Sequence, residues 1–237
     1  MSPQRRPLSF TPAELTGSVR THVQAHAEVS GVLHVAVVRP FLALRRAAAK
    51  AGIDLVAASS FRDFETQQRI WNEKWTGRRP LLDRAGVELQ AVELKPLARV
   101  DAILTWSAAP GASRHHWGTD LDVYDRAAVA PGYRLRLTPD EYAPGGPFAA
   151  LTAWLDEHMA EHGFYRPYQR DRGGVLPEPW HLSHWPTARE ASRRLRIDTL
   201  RRAIEAAPVE GKSALLARLP RIYERYVRNV ERPPRVT

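Results

Sequence analysis

The sequence predicts an α+β fold: a small, mainly antiparallel sheet flanked by helices, with a helical C-terminal extension. Three observations predict it. Apolar runs such as Ile53–Ala58 and Leu121–Tyr124 are strand-sized. Longer stretches, Pro40–Ala51 and Phe148–His162, carry apolar residues at helical spacing. From Pro186 onward the pattern is helical and Arg-rich. These divide the chain into one domain over residues 1–186, with its core at about 40–185, and a helical extension over 187–237.

The elements follow in order. Residues 1–31 are polar and read as an irregular arm with one short helix after Thr11-Pro12, where Thr11 caps. Phe41, Leu44, Ala47 and Ala48 share one face of a helix over Pro40–Ala51, and Gly52 ends it. The strand Ile53–Ala58 runs into Ser59-Ser60-Phe61-Arg62, and Asp63 caps a helix to about Trp75. Gly77–Pro80 breaks that helix; Val87–Ile103 reads as helix interrupted by Pro96. A loop at Ala108–Gly111 precedes a His-rich segment and the strand Leu121–Tyr124. Residues 125–147 are rich in Pro-Gly turns. The helix Phe148–His162 stops at Gly163, and Phe164-Tyr165 and Trp180-His181-Leu182 read as strands around a loop at Asp171–Pro177.

Composition narrows the function classes. The 237 residues can bury a substantial core, in keeping with 43% hydrophobic content and seven Trp. No apolar run approaches the roughly 18–20 residues of a membrane helix. The basic start, Met1–Pro7, is followed by no apolar stretch of signal-peptide type, so the default expectation is a cytoplasmic location, or the cell envelope if a leader was removed or export takes another route. There is no cysteine, which excludes disulfides and thiolate metal sites. The net charge of +9 suits a polyanionic partner. The excess Arg is spread along helical faces, however, and no nucleic-acid-binding motif accompanies it, so no nucleic-acid partner is expected. Oligomeric state is not encoded in any pattern here.

Two short segments carry the chemistry. The first is Ser113-Arg114-His115-His116-Trp117-Gly118-Thr119-Asp120-Leu121-Asp122; the second is Glu178-Pro179-Trp180-His181. Together they offer imidazoles, a ligand carboxylate and a spare carboxylate. A hydrolytic zinc site needs three protein ligands, an open position and a general base. His115, Asp122 and His181 are the candidate ligands. Gly118 and the β-like Leu121-Asp122-Val123 favour a loop running into a strand, with Asp122 at the strand start. Glu178, three before His181 across a Pro-rigidified turn, can approach the open position without binding the metal.

These residues resemble the zinc D-alanyl-D-alanine carboxypeptidases of the VanY type, within the wider group that includes lysostaphin-like peptidases and the hedgehog amino-terminal domain. The family pattern Ser-x-His-x-x-Gly-x-Ala-x-Asp is matched by Ser113, His115, Gly118 and Asp122, and Glu-x-Trp-His by Glu178, Trp180 and His181. An upstream Ser-Gly-Tyr-Arg-Ser…Gln element is similar to Ser59–Asp63 with Gln67. The resemblance covers about residues 40–185. It implies Zn2+ held by His115, Asp122 and His181, Glu178 as general base, and Arg62 stabilising the oxyanion. Ser113 and Gln67 would bind the peptide or its terminal carboxylate. His184 stands where the family often has an aromatic residue and either lines the site or only packs there. The implied activity is hydrolysis of peptidoglycan stem peptides by a D,D-carboxypeptidase or a related L,D-carboxypeptidase. A phage-type or recycling endopeptidase and a noncatalytic zinc-stabilised module are the alternatives; retention of Glu178 and Arg62 argues against the latter.

The chain departs from the pattern at three places. Asp120 replaces the usual Ala, either as a partner of a ligand His or as a change to the metal geometry. Ser60 and Phe61 replace Gly and Tyr, losing a phenol. His116 reads as a loop residue or a residue supporting the ligands rather than a ligand itself. For Arg62 the bland alternative is an ion pair with Asp63 or Glu65.

Overall fold

The computed structural model describes residues 9–233; the basic start at Met1–Pro7 and the final residues 234–237 lie outside them. The fold is α+β. Helix α1 (Pro12–Leu15) begins at Thr11, whose hydroxyl accepts the Glu14 amide while the Glu14 carboxylate accepts the Thr11 amide, a reciprocal cap. Strands β1 (Val23–His26) and β2 (Val29–His34) then form an antiparallel hairpin. This corrects the expectation of an irregular arm over residues 1–31. The hairpin buries only scattered residues such as Val29 and Leu33, so its composition reads as polar.

Helix α2 (Val38–Lys50) lays Phe41, Leu44 and Ala48 on the core. Strand β3 (Leu55–Ser59) follows, and Asp63 accepts the Thr66 amide at 2.9 Å to start helix α3 (Phe64–Trp75). The next segment also differs from expectation. Strands β4 (Leu81–Leu82) and β5 (Glu88–Leu89) make a small hairpin, and helix α4 (Pro96–Trp106) begins at Pro96 instead of being interrupted by it. At the first helical position a proline's missing N–H costs no hydrogen bond.

Strand β6 (Asp120–Asp125) lies at the centre of the main sheet. Helices α5 (Pro139–Tyr142) and α6 (Ala149–His158) precede strands β7 (Phe164–Tyr165) and β8 (His181–His184). The sheet order is β3-β6-β8-β7, with every neighbouring pair antiparallel. Side chains alternate across a strand. Leu121 and Val123 of β6 and Leu182 of β8 therefore face a core shared with α2 and α6. Asp120, Asp122, His181 and Ser183 emerge together on the other face.

Helices α7 (Trp185–Arg194), α8 (Ile197–Ala206) and α9 (Lys212–Ile222) complete the described chain, with a π-type turn over 223–228. Their apolar residues, among them Leu200, Ile204, Leu215 and Leu219, share a second core with Trp71, Ile103 and Trp117. The Trp71 indole donates to the Glu210 carbonyl at 3.0 Å, joining α3 to this helical part. Among the described residues, no helix is long and apolar enough to cross a membrane.

Candidate metal centre

The register of β6 against β8 builds the site. Asp122 pairs directly with His181, and Asp120 with Ser183. His115 comes from a short 3-10 turn, Arg114–Trp117, that ends at Gly118 in the left-handed region (φ +65°). A Cβ on Gly118 would stand 2.5 Å from Val23 and 2.7 Å from the His34 amide, so only glycine lets this turn seat against the β1–β2 hairpin.

His115, Asp122 and His181 are buried, and one donor atom from each lies within 4.8 Å of the others. The hydrogen bonds determine which atoms are presented. His115 Nδ1 donates to the Ser60 carbonyl at 2.9 Å, leaving Nε2 to face Asp122 at 3.4 Å. His181 Nε2 donates to Asp120 at 3.0 Å, and its Nδ1 faces Asp122 at 3.3 Å and Glu178 at 3.0 Å. Two imidazoles and a carboxylate, with no sulfur, form a donor set that fits zinc. Burial alone would raise the Asp122 carboxyl, but His115 and His181 outweigh it and hold Asp122 well below the usual range. Burial likewise opposes charge on His181, and the carboxylates of Asp120, Asp122 and Glu178 outweigh it, raising its pKa. The pocket is thus electrostatically prepared for a cation.

Glu178 is pinned through its backbone. Its amide donates to the Tyr168 carbonyl at 2.9 Å, its carbonyl accepts the His181 amide at 3.1 Å, and Arg166 donates to the next carbonyl, Pro179, at 2.7 Å. The carboxylate is the more exposed partner of His181 and sits on the cleft side. That cleft, about 660 Å³, is lined by Arg62, Ser113, His115, Asp122, Tyr168, Glu178 and His181, with Arg84 and Arg136 farther along its walls.

Arg62 reaches the cleft because its main chain is tied to the metal-site turn. Its amide donates to the His115 carbonyl at 3.2 Å, and His116 Nδ1 donates to its carbonyl at 2.6 Å. His116 Nε2 accepts the Gly111 amide at 3.2 Å, so this buried ring is neutral, its pKa pushed down to about 3 chiefly by burial. The Arg62 guanidinium donates to Gln67 at 2.8 Å and Ser59 at 3.3 Å. Asp63 caps α3 and pairs with Arg20 at 3.7 Å.

Two residues expected at the site are placed elsewhere. Gln67 is fully buried and does not line the cleft; its amide is engaged by Arg62, Ser107 and the Ala108 carbonyl. His184 is buried against Phe164, with Nδ1 3.0 Å from the Thr187 hydroxyl. It lies three residues beyond His181 on one strand, and an odd offset points it to the opposite face. Sequence reasoning missed three residues that the fold brings in. Arg114 and Ser183 flank Asp120; alternation along β8 was the available signal for Ser183, while Arg114 comes from the 3-10 turn and no period marks it. Tyr168 stacks edge-on against His181 with ring centres 4.9 Å apart, and no motif marks it.

The chain is 35% identical over 118 residues to an uncharacterized protein of Haemophilus influenzae, spanning 49% of this chain and 90% of that one. It is 30% identical over 151 residues to a D-alanyl-D-alanine carboxypeptidase of Enterococcus faecalis, covering 62% of this chain and 46% of that protein. The fold is similar to that of the LdcB LD-carboxypeptidase, with a TM-score of 0.50 and 17% identity over 87% of this chain and 78% of the other. Residues 31–187 match the family model of VanY, D-alanyl-D-alanine carboxypeptidase, and with more than half of its length so matched the chain belongs to that peptidase family.

Proposed function

We propose that this protein is a zinc-dependent peptidase that removes the terminal D-alanine of peptidoglycan stem peptides, a D,D-carboxypeptidase. The observation that carries the reading is the buried His115–Asp122–His181 cluster at the wall of an open cleft, with Glu178 beside it on the cleft side. A binding module needs neither that carboxylate nor Arg62. The D-alanyl-D-alanine carboxypeptidase relative from Enterococcus faecalis supports the choice of bond.

In this reading His115 Nε2, an Asp122 oxygen and His181 Nδ1 hold zinc. The chemistry zinc supplies in such sites is Lewis acidity and a water whose pKa is lowered to about 7. Glu178 takes the proton of the attacking water and returns it to the departing amine, a transfer worth about 10²–10⁴-fold. Arg62, held by Gln67 and Ser59, places a fixed positive charge toward the carbonyl oxygen as negative charge develops there. Ser113 offers a hydroxyl at the cleft wall to the peptide.

The test is incubation of purified protein with a stem pentapeptide ending in D-Ala-D-Ala and with a tetrapeptide ending in a single D-alanine, read by mass. The expected result is loss of one alanine from the pentapeptide, abolished by a chelator and restored by zinc. Cleavage of the tetrapeptide alone would make it an L,D-carboxypeptidase. Internal cleavage would make it an endopeptidase, and no cleavage of any stem would overturn the reading.

A further inference from the structure

The Asp120 carboxylate is fully buried, and each of its oxygens is engaged. Oδ1 accepts from Arg114 Nε at 2.7 Å and from His181 Nε2 at 3.0 Å; Oδ2 accepts from the Thr119 hydroxyl at 2.5 Å. Arg114 is buried too. Its terminal nitrogen donates to Ser183 at 2.6 Å and lies 3.4 Å from the Tyr165 hydroxyl, while its guanidinium stacks over Trp117 at 4.7 Å. The register that sets Asp122 opposite His181 also sets Asp120 opposite Ser183, so the clamp and the ligand pair share one stretch of ladder.

Burying such an ion pair carries a large desolvation penalty, and well-packed apolar groups often replace one with no loss of stability. Stability therefore gives no reason for an Asp where the family pattern has Ala. Orientation does. With Arg114 and Thr119 occupying its other positions, the carboxylate cannot turn away from the imidazole. Asp120 lies on the Nε2 side of the ring, whereas Asp122 and Glu178 lie on the Nδ1 side, so it is outside the donor set.

We propose that Asp120, clamped by Arg114 and Thr119, is a positioning residue: it fixes His181 with the proton on Nε2 and the Nδ1 lone pair aimed at the metal. This rests on the zinc reading of the site. Partners of this kind typically change metal affinity by 10–100-fold.

The test is zinc affinity by chelator competition on the wild type, Asp120→Asn, and the double variant Arg114→Leu/Asp120→Ala. Ring 15N spectra of His181 are recorded on each protein before zinc is added, at a pH where the ring is neutral. Asp120→Asn is expected to bind zinc at least tenfold more weakly and to lose the single Nε2–H signature. The double variant leaves no orphaned charge, so it should regain thermal stability without regaining zinc affinity; it also serves if Asp120→Asn fails to fold. Wild-type affinity in folded Asp120→Asn, or its recovery in the double variant, would reduce the clamp to a structural role and overturn the proposal. Absence of zinc binding by the wild type would instead overturn the reading of the site itself.

Discussion

Asp122 and His181 are direct cross-strand partners on β6 and β8, with carboxylate oxygen and Nδ1 3.3 Å apart. Two distant stretches of sequence are thereby fixed together by main-chain hydrogen bonds rather than by the metal. The ligand set should persist as a folded pocket without zinc, and removal of a ligand should abolish binding more than folding. His181→Ala and Asp122→Ala are each expected to lose stoichiometric zinc, by elemental analysis after dialysis, while keeping the wild-type circular dichroism spectrum. Full occupancy in either variant would remove that residue from the ligand set.

Glu178 and His181 have different fates in the same turn. Glu178→Gln keeps the size and the backbone ties to Tyr168 and His181 but cannot accept a proton. Zinc content should stay near one per chain while kcat falls by a hundredfold or more. A variant that loses its zinc would instead make Glu178 a ligand.

Arg62 and Gln67 form a donor and its positioner. Arg62→Ala is expected to lose roughly 2.7–4 kcal/mol of transition-state stabilisation, and Arg62→Lys to recover only part of it, because an ammonium lacks the planar fork. Gln67→Leu leaves the guanidinium without its 2.8 Å acceptor, so kcat should drop about tenfold with KM little changed. Steady-state kinetics on the pentapeptide separates the two. A rise in KM alone for Gln67→Leu would place that residue against substrate, as its position in the motif first suggested.

Much of the site is legible because its residue types are chemically constrained. The two His-containing segments, the Asp63 cap and the stop at Gly163 all carry local signals. The errors have a common physical origin in alternation and burial. His184 lies an odd number of residues from His181, and the strand period decides between its two readings, turning it away from the cleft into packing against Phe164. The same period, run from Asp122 to Asp120, puts the extra carboxylate on the ligand face, in keeping with its reading as the partner of a ligand His. The β1–β2 hairpin was hidden because its strands are short and bury only Val29, Leu33 and His34 fully. Gln67 reads as a polar contact for substrate, yet a helix starting at Asp63 turns its amide inward, toward Arg62 and the Ala108 carbonyl. Such tertiary partners have no trace in a single sequence.

His34 gives the fold an acid sensitivity separate from the metal ligands. It is buried, with Nδ1 accepting the Ala36 amide at 3.1 Å, and its ring lies near Phe10 and His22. Burial, then His22, push its pKa down to about 4, against the opposing pull of Glu14 and with a smaller push from His184. In the unfolded chain the imidazole titrates near 6.5. The unfolded state therefore binds the proton more tightly between about pH 6.5 and 4. The stability contributed by neutral His34 is fully present above that window and is lost as pH falls through it, at a slope of up to about 1.4 kcal/mol per pH unit. His184, also pushed down to about 4 by burial, adds in the same direction. His34→Asn keeps an acceptor for the Ala36 amide but cannot take up a proton in this range. Urea unfolding of the zinc-free protein at pH 7.5, 5.5 and 4.5 should show a shallower loss of stability for the variant than for the wild type. Parallel loss in both proteins would mean that His34 titrates alike in the folded and unfolded states, and that the acid sensitivity arises elsewhere.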